Sequence, residues 1–142
     1  MQIGVETAKA VDQRRVFVVD DDEVTRAALQ FMLQDEIETH ELSSMEEAYE
    51  KTSDWLKPDL VLLGASLLRP DASAQVAAIK QRFPQVRILI VCDKSDEALA
   101  LAAIKAGAQG AIVKPITIQA VRKKVDTVLG REGGETLIQI MG

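Results

Sequence analysis

From Arg15 to Leu129, short apolar runs alternate with longer stretches in which apolar residues recur every three or four positions. Val16-Phe17-Val18-Val19, Leu60-Val61-Leu62-Leu63, the run over 86–91 and Ala111-Ile112-Val113 are nearly uninterrupted, which predicts strands covered on both faces. A further strand at 38–42 alternates with polar residues and reads as a sheet edge. Between the strands lie five helical patterns. The first, 23–33, places Val24, Ala27, Ala28, Phe31 and Met32 in an apolar stripe. Ser44 and Glu47 form a capping box that opens a helix ending near Trp55. Asp71 or Ser73 starts a third, which runs to Arg82 before Pro84. Ser95 caps a fourth, with Asp96 and Glu97 in its first turn and Gly107 as its stop. Thr117 caps a fifth, with Ile118, Val121, Val125 and Val128 on one face.

This alternation predicts an α/β fold with a parallel sheet, because each crossover contains a helix and such connections are right-handed. The natural solution is the flavodoxin-like (βα)5 doubly wound sheet in the order 2-1-3-4-5, whose groove lies at the carboxyl ends of the strands. Asp20, Asp21, Gly64, Cys92 and Lys114 all fall there. The chain divides into an N-terminal extension at 1–14, a folded unit at 15–129 and a tail at 130–142. Gly133 and Gly134 make a hinge in the tail, and Leu137, Ile138, Ile140 and Met141 make its end apolar.

Charge and composition narrow the function. The net charge of -5 argues against nucleic acid, and the one dense basic group, Arg122-Lys123-Lys124, reads as a solvated helix face. One cysteine and one histidine exclude an internal disulfide and argue against structural zinc. No apolar run approaches the ~18 residues that span a bilayer, and the first residues do not form a signal peptide. A cytoplasmic protein with no membrane or nucleic-acid partner is expected.

The chemistry converges on three strand ends. An acidic run, Asp20-Asp21-Asp22, follows the first strand, and Lys114-Pro115 follows the fifth. The third strand ends at Gly64, where an aspartate would complete a metal-assisted phosphoryl site. Val18-Val19-Asp20-Asp21-Asp22, Pro58-Asp59-Leu60-Val61-Leu62-Leu63, Ala106-Gly107-Ala108 and Lys114-Pro115-Ile116 together resemble the receiver domain of two-component response regulators. The resemblance implies that Asp20 and Asp21 match the Mg²⁺-binding pair and Lys114 the lysine that contacts the phosphoryl group. It places the phosphoacceptor at Gly64, the Ser/Thr switch residue at Cys92, the small residue after it at Asp93 and the switch aromatic at Ala111. The proline after the acceptor is replaced by Leu68.

These departures share one chemical consequence. Gly64 supplies no nucleophile for an acyl phosphate, so no phosphoacceptor and no catalytic residue are expected. Cys92 is a weak donor, Ala111 has no ring, and Asp93 would repel a phosphoryl group. The reading is a pseudo-receiver that is not an enzyme and requires no cofactor, with Mg²⁺ at Asp20 and Asp21 weak or vestigial. In the bland reading, Lys114 neutralises Asp20 and Asp21. A salt bridge from Asp93 to Lys114 would instead imitate a permanently occupied site. Cys92 reads as a small buried hydrophobe rather than a redox thiol. Ser66 would take phosphate only from a protein kinase.

The fourth helix carries more apolar residues than one buried face needs, so Leu99 and Ala103 are expected on an exposed patch. The resemblance points to the surface of residues 95–129 for a protein partner or a homodimer. A metal or small-ligand sensor using an emptied pocket at Asp20, Asp21 and Lys114 is the alternative.

Overall fold

A computed structural model describes residues 13–53 and 56–131. Five strands form one sheet: β1 (Arg15–Val19), β2 (Glu38–Leu42), β3 (Leu60–Gly64), β4 (Arg87–Cys92) and β5 (Gly110–Val113). All neighbours pair in parallel, in the order β2-β1-β3-β4-β5. The helices are α1 (Glu23–Leu33), α2 (Met45–Lys51), α3 (Ala72–Arg82), α4 (Glu97–Lys105) and α5 (Ile118–Leu129). Among the described residues, no helix is long and apolar enough to cross a membrane.

The strands read as continuous apolar runs because successive side chains enter two separate cores. Val16, Val18, Leu60, Leu62, Leu89 and Val91 join Leu29 and Leu33 of α1 and Val121, Val125 and Leu129 of α5. Phe17, Val19, Val61, Leu63, Ile88 and Ile90 join Ala48 of α2, Val76 and Ile79 of α3, and Ala100 and Ala103 of α4. The polar strand β2 lies at an edge, as its alternation requires.

Several local expectations shift. The stripe expected to face the core from α1 mostly faces outward: Val24 is 77% and Phe31 69% exposed. Thr25, Leu29 and Leu33 are buried instead, a set with the same four-residue spacing. The helix has two apolar faces, and its alternative phase seats the larger leucines against the sheet. Helix α2 stops at Lys51, with Thr52 and Ser53 already non-helical, while Trp55 lies outside the described residues. Its Ser44 cap accepts from the Glu47 N–H, but the Glu47 carboxylate turns to the N–H and hydroxyl of Ser43 rather than to Ser44. Asp71, not Ser73, caps α3.

Ser95 does not cap α4. It lies in a 3-10 turn (Lys94–Asp96), and neither Asp93 nor Asp96 makes a side-chain cap bond. Thr117 caps α5 by accepting from the Ala120 N–H at 3.1 Å. Gly107, with φ 126°, turns the chain from α4 toward β5 in a conformation that favours glycine. Most of the expected N-terminal extension and tail lie outside the described residues.

Candidate functional site

The carboxyl ends of β1, β3, β4 and β5 surround a cleft of about 180 Å³ lined by acidic residues, Gly64, Ser66, Cys92 and Lys114. Parallel pairing brings these positions together. Val19 is in register with Leu63, so Asp20 emerges beside Gly64. Gly64 is in register with Val91, which places Cys92 and Asp93 at the same rim. Cys92 is in register with Val113, and the Lys114 N–H donates to the Cys92 carbonyl at 2.8 Å. The Lys114–Pro115 peptide is cis.

Asp20 decides the character of the cleft. It is 5% exposed, its N–H donates to the Leu42 carbonyl, and its own carbonyl accepts from Arg26 Nη1 at 2.7 Å. Its carboxylate leans over Gly64. A Cβ placed on Gly64 would lie 2.5 Å from Asp20 Oδ2 and 2.6 Å from its Cγ, closer than real side-chain atoms approach. The space expected to be emptied by glycine is therefore filled by the neighbouring carboxyl. Burial raises the Asp20 pKa above the ordinary carboxylate value. The Asp22 N–H, which donates to Oδ1 at 2.9 Å, and the Lys114 charge oppose that rise, while Asp21 and Asp22 add to it.

The rest of the acidic run is divided among separate partners. Asp21 Oδ1 accepts from the Ser66 hydroxyl at 2.8 Å. Asp22 caps α1: one oxygen accepts from the Val24 N–H at 3.3 Å and the other from the Thr25 hydroxyl at 2.6 Å. The Thr25 bond is the main reason its pKa is lowered. Lys114 pairs with Asp22 at 3.9 Å, rather than with Asp20 or Asp21. No ion pair joins Asp93 to Lys114, so the geometry of an imitated occupied site is not formed. The pairing with Asp22 was hidden in the sequence because all three acids are adjacent. The Asp22-to-Thr25 spacing, a helix-cap pattern, was the available signal.

The acidic run offers a cation fewer open oxygens than a set of free carboxylates would. One Asp20 oxygen is taken by a backbone N–H and one Asp21 oxygen by Ser66, and position 64 offers no carboxylate. Among the described residues, no group of three or more His, Cys, Asp or Glu is arranged to hold one. Cys92 is 2% exposed, and burial raises its thiol pKa, with Glu97, Asp96 and Asp93 adding to the rise. A raised thiol pKa favours the protonated form, which is the weaker nucleophile. Ala111, opposite Ile90, packs against the core of α2, α3 and α4.

The expected exposed patch on α4 is displaced. Ala103 is fully buried, and Leu99 is half-buried against the core. The helix seats Ala100 and Ala103 on the sheet, and that phase turns Leu101 (53% exposed) and Ile104 (37% exposed) outward.

A family model described as the response regulator receiver domain matches residues 16–126. The chain is 28% identical over 126 residues to the transcriptional regulatory protein LnrK of Bacillus subtilis, covering 87% of this chain and 56% of that protein. It is 32% identical over 108 residues to the chemotaxis protein CheY of Thermotoga maritima, covering 72% of this chain and 86% of that protein. The crystal structure of the receiver domain of NtrX from Brucella abortus is similar at a TM-score of 0.73 and 27% identity, covering 81% of this chain and 98% of that one. The chain spans about half the length of the two Bacillus subtilis regulators it matches, 56% and 45%.

Proposed function

This chain belongs to the response regulator receiver family of two-component signalling, and we propose that it signals through protein contacts without aspartyl phosphorylation. One observation carries this reading: the acceptor position is Gly64, and the Asp20 carboxylate sits in the space an acceptor side chain would use. Forming an acyl phosphate needs a carboxylate nucleophile open to the donor. Asp20 is buried beneath the rim, and Asp21 is engaged by Ser66.

The machinery that would respond to a phosphoryl group is altered as well. Cys92 replaces a hydroxyl with a buried thiol, and Ala111 has no ring to change position. The partner surface in this reading is formed by α4, β5 and α5. Leu101 and Ile104 are its apolar anchors, in place of Leu99 and Ala103. Mg²⁺ is not required by this function. Saturable thermal stabilisation by Mg²⁺ or a nucleotide would instead favour a ligand sensor.

The test is intact-mass spectrometry after incubation with a small-molecule phosphodonor and Mg²⁺, beside a receiver that carries the acceptor aspartate. We expect the control to gain a phosphoryl group and this chain to keep its mass. A hydroxylamine-sensitive adduct would mean that another carboxylate accepts phosphate. An acid-stable adduct would point to a hydroxyl such as Ser66. Either adduct would overturn the proposal.

A further inference from the structure

Arg82 closes α3 at the end of the sheet away from the acidic cleft, shortly before β4 begins. Its guanidinium is held by two hydrogen bonds and two rings. Nη2 donates to the Tyr49 carbonyl at 2.9 Å and to the Thr52 hydroxyl at 3.0 Å, which ties the end of α2 to the end of α3. The guanidinium carbon lies 5.3 Å from the centre of the Tyr49 ring and 5.7 Å from that of Phe83. Both hydrogen bonds use Nη2, so Nη1 and Nε have no acceptor among the described residues. A guanidinium fixed in this way is a fork ready for the two oxygens of a carboxylate.

Two cavities share Arg82. One, of about 310 Å³, is lined by Tyr49, Ala78, Gln81 and Arg82. That volume falls in the range of small-ligand sites, about 300–1,000 Å³. The other, of about 240 Å³, has Lys57 and Arg82 on its walls together with Pro58, Phe83, Pro84 and Val86. Phe83 and Val86 are buried residues of the core, so they give this cavity an apolar floor. Its one acid is Asp59, whose Oδ2 accepts from the Arg15 N–H at 2.8 Å. The Tyr49 hydroxyl, at the larger cavity, is buried and has no hydrogen-bond partner among the described residues. It is a further donor for which the fold supplies no acceptor.

Unused donors beside an apolar floor define the ligand. We propose that Arg82 anchors a binding site for a small organic carboxylate. Arg82 Nη1 and Nε take the carboxylate, Lys57 adds a second positive charge, and the apolar body of the ligand lies on Phe83, Pro84 and Val86. The distribution of charge favours an anion at this end of the molecule. The cleft at the carboxyl ends of the strands sets five aspartates, Asp20, Asp21, Asp22, Asp93 and Asp96, against Lys114. Here two cations face a single aspartate that is already engaged. Inorganic phosphate is a poorer match, because it leaves the apolar floor uncovered. The site shares no lining residue with the acidic cleft, so it stands whether or not that cleft accepts phosphate.

The test is a titration of the full chain with 3-phenylpropionate at constant ionic strength, followed by amide shifts in nuclear magnetic resonance. We expect saturable shifts centred on residues 49–52, 57–59 and 81–86, with a Kd of about 1 mM for a ligand of this size. The uncharged amide of the same acid should bind about tenfold more weakly. Arg82→Lys keeps the charge and removes the fork, and should also weaken the acid about tenfold. Lys57→Gln, at an exposed position, should weaken it about threefold while leaving Tm unchanged. No saturation at about twenty times the expected Kd would overturn the proposal. Equal affinity for acid and amide would overturn it, as would equal affinity in the parent and both variants. Shifts centred on Asp20 and Lys114 would place the acid in the other cleft and overturn it too. Inorganic phosphate binding as tightly as the acid would likewise overturn it, leaving an adventitious ion only.

Discussion

At the scale of single residues, the contact that matters most is one that Gly64 permits. The Asp20 carboxylate is close enough to meet any side chain at position 64. Gly64→Ala should force Asp20 to rotate at a cost of about 1–2 kcal/mol, the range for overpacking a tight site, and lower Tm by several degrees. In an Asp20→Ala background that cost should largely vanish, giving a coupling of about 1 kcal/mol in a double-mutant cycle followed by urea unfolding. Purely additive losses would show that the two positions do not meet. Asp20 also carries a pH signature. Its folded pKa is raised above the ordinary 3.8 mainly by burial, so the folded state holds its proton more tightly than the unfolded chain. The associated stability is present below 3.8 and is lost as pH rises through the folded pKa. Asp20→Asn should therefore melt higher than the parent near neutral pH in metal-free buffer, and the gap should close as pH falls toward 3.8. A gap that is constant with pH would remove burial of the charge as its cause. None of this was visible in the chain. The glycine and the acidic run could be read, but the lean of one carboxylate over the other strand end depends on how β1 and β3 lie side by side.

At the scale of elements, the strands were legible because both faces are covered and nearly every position is apolar. The edge strand β2 was legible for the opposite reason. Helix faces were harder wherever apolar residues exceed what one face needs. In α1 two sets with helical spacing compete, and the set with Leu29 and Leu33 wins the core. In α4 the run is so rich in alanine and leucine that periodicity does not choose a face, and contact with the sheet does. This corrected phase makes opposite predictions for two neighbouring residues. Ala103→Leu adds three carbons where the side chain is fully buried, and should cost about 1–3 kcal/mol in urea unfolding. Leu101→Ser, on the exposed side, should change stability by no more than about 0.5 kcal/mol while weakening capture of a protein partner. A stability loss at Leu101 with tolerance at Ala103 would mean that α4 is rotated from the phase described.

At the scale of the whole molecule, a receiver switches only if a ligand at the strand ends binds its two arrangements unequally. A ligand with no differential affinity shifts no population, however tightly it binds. In this chain position 64 carries no side chain, the Asp20 carboxylate fills the space beside it, and Lys114 is turned to Asp22. On β5, Ala111 offers no ring whose movement could carry a change to the surface of α4 and α5. In the proposed reading both halves of the device, a site that senses phosphate and a face that reports it, are altered, while the five-stranded parallel sheet between them is intact. Adding a phosphodonor at fixed Mg²⁺ should therefore leave the backbone amide shifts of α4, β5 and α5 where they were. Two-dimensional amide spectra with and without the donor, at fixed Mg²⁺, make the comparison direct. Shifts that spread from the cleft to Leu101 and Ile104 only when the donor is present would show that the fold still transmits phosphorylation, and that position 64 is not where it begins.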